Sequence, residues 1–102
     1  MDACWFKEQI TDELDGACLY MKKAIEIKPM KAEWSKKLSI MAEAEMDHAT
    51  ELYKMFATYY EIMSGTYSEM PEYIENINKD INDLYTKKYP RIKVMFEMYG
   101  KM

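Results

Sequence analysis

The chain has 102 residues, 49% hydrophobic and 31% charged, with 14 Lys and Arg against 18 Asp and Glu and a formal net charge of −4. These proportions fit one small domain, exclude a disordered chain and work against the phosphate-directed electrostatics of a nucleic-acid-binding domain, so no nucleic-acid partner is expected. Three Gly and three Pro are too few for a sandwich or barrel with its closely spaced turns, which leaves an all-α protein as the expectation.

At the N-terminus, MDACWFKEQITDELD carries acids where a signal peptide needs a basic start and an apolar stretch, and no run of eighteen apolar residues occurs. Cys4 and Cys18 lack zinc-type spacing and make no disulfide framework. A soluble, cytoplasmic protein with no membrane partner is therefore expected. The first predicted helix runs from about Trp5 to Ile27, where Pro29 stops it, because the residue before a proline is pushed out of the helical region. The second runs from about Met30 to Ser64 with Pro29 at its entry, about 35 residues or roughly 50 Å at 1.5 Å per residue. Helices of that length in so short a chain belong to bundles. Ser64-Gly65-Thr66 reads as a stop and Pro71 as the first turn of a third helix, whose apolar row is Met70, Ile74, Ile77, Ile81 and Leu84. Pro90 is expected to kink or end that helix, leaving Ile92 to Tyr99 as a short docked helix or a strand. Residues 1–64 thus read as a helical hairpin, and 65–102 as a C-terminal helical segment for packing or assembly.

Along the second helix an apolar row at three- and four-residue steps takes in Trp34, Leu38 and Met41, then Glu45 and His48, then Leu52, Met55, Tyr59 and Ile62. The first helix has the same rhythm in Phe6 and Ile10, then Glu13, then Ala17, Tyr20, Ala24 and Ile27. Ionisable groups in rows expected to be buried are costly unless something offsets them. For an antiparallel hairpin turning near Pro29, residues whose numbers sum to about 58 share a level, which sets Glu13 beside Glu45 with His48 one turn away. Two carboxylates and an imidazole at one point of an apolar seam suit a divalent transition metal, whose charge offsets the burial of the anions. Glu45-Met-Asp-His48 also has the Glu-x-x-His spacing of di-iron bundles, which need one Glu from each of two helices and one Glu-x-x-His from each of two others. One chain supplies half of that set, and two chains related by a twofold axis supply all of it.

On these residues, Glu13 followed seven positions later by Tyr20 and then Glu45-Met-Asp-His48, the first 64 residues resemble a ferritin-like di-iron carboxylate protein reduced to one hairpin, similar to the half-length encapsulated-ferritin type of ferroxidase. The resemblance implies a hairpin that dimerises, or forms a higher even-numbered assembly, into a four-helix bundle with two iron ions per dimer. It implies Glu13, Glu45 and His48 as ligands, Tyr20 close to the site, and oxidation of Fe(II) to Fe(III) by oxygen or peroxide for iron storage or detoxification, with manganese as another metal such sites take. Asp12 and Asp15 resemble the acidic residues of an entry or secondary metal site in half-length members. Two departures stand beside the likeness. Residues 65–102 hold no second Glu-x-x-His, and the ending Tyr99-Gly-Lys-Met102 is unlike the Gly-Leu-rich peptide that directs cargo into an encapsulin shell. The residues leave open a metal-free helical assembly or adaptor protein, and a di-iron or manganese redox protein not involved in storage. The eleven Met residues read as flexible core filling, Cys18 as a small buried hydrophobe, and Trp5 and Trp34 as anchors at the two ends of the hairpin.

Overall fold

A computed structural model describes residues 2–102. It consists of three helices, α1 (Ala3–Ile27), α2 (Ala32–Thr66) and α3 (Glu72–Gly100), with no strand among the described residues. Asp2 caps α1, its carboxylate accepting from the Trp5 backbone N–H at 3.0 Å and so satisfying one of the donors a helix start leaves free. The chain reverses at residues 28–31, where Met30 and Lys31 both donate to the Ile27 carbonyl. Pro29 lies in this turn and α2 starts at Ala32, two residues later than the proline rule implies. At the far end Tyr67 N–H bonds the Met63 carbonyl, and α3 opens on Pro71 with Glu72 and Glu75 in its first turn, where negative charge suits the helix dipole.

α3 lies parallel to α1. Lys7 meets Asp80 at 3.0 Å and Lys88 meets Asp15 at 2.6 Å, two links that share the same 73-residue offset. Lys28, at the hairpin turn, bonds the Tyr99 and Met102 carbonyls at 3.1 and 3.2 Å, fixing the C-terminal end of α3 beside the turn. α2 is held to α3 by stacking of Tyr53 on Tyr85 and by hydrogen bonds of Thr50 with Tyr85 and of Tyr53 with Asn82. The result is an up-down-up bundle measuring 58 × 20 × 15 Å. Its core runs along α1 (Phe6, Ile10, Leu14, Met21) and α3 (Ile74, Ile77, Ile81, Ile92).

Pro90 neither ends α3 nor sets off a separate tail segment, since the helix continues to Gly100. Proline removes one backbone bond, but Pro90 is exposed to water, and Tyr89 before it and Ile92 after it are held against the core. The buried side of α2 is a second departure. It consists of Ser35, Ala42, Met46, Ala49 and Phe56, one position along from the row expected to be buried. Trp34, Met41, Met55 and Ile62 are between 45% and 63% exposed, and so Trp34 anchors nothing within this chain. Mostly small residues let α2 lie close to its neighbours, and Ser35 uses that closeness to donate to the Ala24 carbonyl at 2.5 Å. Trp5 packs edge-on against Phe6 and is itself at the surface. Among the described residues no helix is long and apolar enough to cross a membrane.

Candidate metal centre

Midway along the hairpin, α1 contributes Glu13 and α2 contributes Glu45 and His48. One potential ligand atom from each lies within 4.8 Å of the other two. Donors bound at ~2.0–2.2 Å to a shared ion stand roughly 3–4 Å apart, so the group is close to the spacing that a single cation imposes. Antiparallel packing produces this meeting from residues 32 positions apart in sequence, and the Glu45-x-x-His48 spacing turns both α2 side chains to the same side of their helix.

The three groups are badly matched to one another in the absence of a cation. Glu13 Oε2 is buried and accepts no hydrogen bond from another fixed donor, and His48 Nδ1 stands 3.5 Å from it. Glu45 is pushed up from 4.5 to about 7, first by a hydrogen bond to Glu13 that only the protonated acid donates, then by burial and by the Glu13 charge, with His48 pulling the other way. Near neutral pH, a proton on Glu45 thus stands between two carboxylates. A divalent ion satisfies the orphaned oxygen and replaces that proton, and oxygen and nitrogen donors of this kind suit iron, manganese or zinc.

Gly16 completes the recess, one turn after Glu13. A Cβ built at this position would lie 3.2 Å from Glu45 Oε2, so the bare backbone is what lets the carboxylate sit against α1. Sequence reading passed over this residue. Its signal was a glycine in the interior of a long helix, where it is normally unfavourable.

The other expected site residues are placed elsewhere. Asp15 is paired with Lys88, and Asp12 lies exposed along the outer groove of α1 with Cys4, Lys7, Glu8 and Thr11; neither joins the Glu13 group. Tyr20 is half-buried against the core and contributes no atom to the cluster. Cys4 and Cys18 are free thiols, the first exposed and the second half-buried. His48 has 61% of its side chain exposed and Glu13 22%, so the cluster opens to the outside of the bundle on the side of α2 that carries Trp34, Met41 and Met55. Comparison with protein-family models, with curated proteins and with solved structures finds no match for this chain.

Proposed function

We propose that Glu13, Glu45 and His48 are half of a di-iron centre shared between two copies of the chain, and that the protein is a ferroxidase of the ferritin-like type, taking Fe(II) as substrate. The observation that carries this reading is a buried Glu13 oxygen with no fixed hydrogen-bond donor, facing a second carboxylate and an imidazole within 4.8 Å. A purely structural cluster satisfies its buried acceptors, because an unpaired one costs on the order of 1–3 kcal/mol. The metal-free adaptor reading offers that carboxylate only the proton it shares with Glu45 and an imidazole nitrogen at 3.5 Å.

In the shared site Glu13, Glu45 and His48 of each chain would hold the metal. When bound, a pair of Fe(II) ions would supply two electrons, one each, reducing O2 with two protons to hydrogen peroxide, or hydrogen peroxide with two protons to two waters. The residues' part is to neutralise the cations, to keep them apart from bulk water in the seam, and to exchange a proton at Glu45, whose affinity near pH 7 suits release on metal entry and uptake on metal loss. Tyr20 and the Asp12 and Asp15 carboxylates have no assigned part in this chemistry.

Anaerobic titration with Fe(II), followed by air, tests the reading. Saturation at one pair of ions per two chains and near-ultraviolet absorbance that grows on oxidation are expected. Glu45→Ala and His48→Ala should abolish binding and leave helicity largely intact. Absence of saturable binding to the native chain would sink the ferroxidase reading.

A further inference from the structure

Two features of the surface are unaccounted for by a single chain. The first is the outward stripe of α2, in which Trp34, Met41, His48, Met55 and Ile62 recur every seven residues with Leu38, Glu45, Leu52 and Tyr59 between them, the seam pattern of a helix that packs on another helix. Leu52 and Tyr59 are half-buried against the chain's own core, whereas Trp34, Met41, Met55 and Ile62 stay 45–63% exposed. The groove beside its first half is lined by Lys23 and Ile27 of α1 and by Trp34, Lys37, Leu38 and Met41 of α2. The second feature is the distribution of charge. Residues 22–37 and 87–101 hold eleven of the fourteen cations and only three of the eighteen acids. Both segments lie toward the turn end of the bundle, as the bonds from Lys28 to the C-terminal carbonyls show. Everything else carries three cations, Lys7, Lys54 and Lys79, against fifteen acids. A molecule with a net charge of −4 is therefore strongly basic at one end of its 58 Å length and strongly acidic at the other.

We infer that the stripe is the seat of a second copy of this chain, laid antiparallel, α2 against α2, with the twofold axis passing between Glu45 and His48. An axis there places Glu45 opposite the second copy's His48, Met41 opposite its Leu52, Leu38 opposite its Met55 and Trp34 opposite its Tyr59. The layers from Trp34 to Tyr59 then pair apolar with apolar on both sides of a central Glu45–His48 layer, and Ile62 falls at the end of the seam, opposite the second copy's Lys31. Orientation follows from charge. Antiparallel pairing lays the basic end of each copy along the acidic end of the other, whereas parallel pairing stacks like on like, and contacts closer than the ~8 Å screening length at physiological salt feel that difference. The twofold position rests on the reading of Glu13, Glu45 and His48 as half of a shared site; the direction of pairing rests on the charges alone.

Single-cysteine variants Leu38→Cys and Met55→Cys, each in a Cys4→Ser, Cys18→Ser background, test the arrangement. Under mild oxidation each variant alone stays monomeric on a non-reducing gel, because its own copies are more than twenty ångströms apart along the seam (about 1.5 Å per residue). An equimolar mixture of the two gives a covalent dimer. Self-linking of Leu38→Cys overturns the proposal in favour of parallel pairing. Failure of the mixture to link overturns it as well, as does a chain that stays monomeric at high micromolar concentration while binding a heparin oligosaccharide at its basic end. Running the mixture with and without EDTA, beside a Mn(II) titration of the native chain, separates this proposal from the metal reading. Cross-linking without saturable metal binding keeps the pairing and removes the metal centre. Metal saturating one ion per unlinked chain keeps a metal site and removes the pairing.

Discussion

Glycine at position 16 costs α1 stability and gives Glu45 its place. In a helix interior Gly is about 0.5–1 kcal/mol less favourable than Ala, so Gly16→Ala would ordinarily be stabilising. Here the added methyl meets Glu45 Oε2 at 3.2 Å, and the carboxylate must yield by a few tenths of an ångström. The expected outcome is a metal-free melting temperature that is unchanged or slightly higher, together with about tenfold weaker Mn(II) binding, read by calorimetry on both proteins. Glu45 also fixes how stability depends on pH. Its folded pKa, about 7, lies above the ordinary 4.5, so the folded chain holds this proton more tightly than the unfolded chain. The favourable contribution is complete below pH 4.5 and is lost as pH rises through 7. The difference in urea stability between native chain and Glu45→Gln is accordingly expected to change between pH 5 and pH 8, with the native chain losing ground at the higher value. Mn(II) affinity runs the other way, rising toward tenfold per pH unit below about 7 as metal displaces the proton, and flattening above it.

At the scale of elements, the breaks at Pro29, Gly65 and Pro71 and the level shared by Glu13, Glu45 and His48 could be read from sequence, because turn chemistry and helical rise are local and periodic. The buried side of α2 could not. Two rows run along that helix one residue apart, a large one through Trp34, Met41 and Met55 and a small one through Ser35, Ala42 and Ala49. Hydrophobicity favours the large row, but the bundle buries the small one and leaves the bulky residues outside. Periodicity alone has no means of telling a row that packs within the chain from one that packs on another. Pro90 misled for a different reason. The local rule breaks the helix, while anchors on both sides, the Tyr85–Tyr89 stack and buried Ile92, hold the two halves in line. The cost of the proline therefore remains in the structure. Pro90→Ala should stabilise the chain by about 1–3 kcal/mol, a rise of several degrees in melting temperature for a domain of this size, without loss of metal binding. Ser35→Ala acts in the opposite sense. It removes the donor to the Ala24 carbonyl and a hydroxyl 3.1 Å from Tyr99, leaving a buried acceptor unpaired, and should cost about 1–3 kcal/mol by urea denaturation.

For the whole molecule, the exposed stripe and the separated charges bear on the same question of what a single chain lacks. A 102-residue bundle that leaves Trp34, Met41, Met55 and Ile62 in water forgoes apolar burial of about 25 cal/mol per Å² that a second copy would restore. Stability should then depend on protein concentration, because only the paired form gains that burial. Met41→Asp isolates the effect. In the single chain Met41 is already largely solvent-facing, so a charge there should change the fold's own stability by no more than about 0.5 kcal/mol. In the antiparallel pair the same charge is buried against the second copy's Leu52, one turn from the ionisable layer. Sedimentation should therefore show a monomer with native helicity, a melting temperature independent of concentration, and Mn(II) binding weakened although Glu13, Glu45 and His48 are all intact. If Met41→Asp stays dimeric, the stripe is not the interface. If it is monomeric but binds Mn(II) as the native chain does, each chain holds a complete site and the carboxylate-histidine cluster is not half of a shared one.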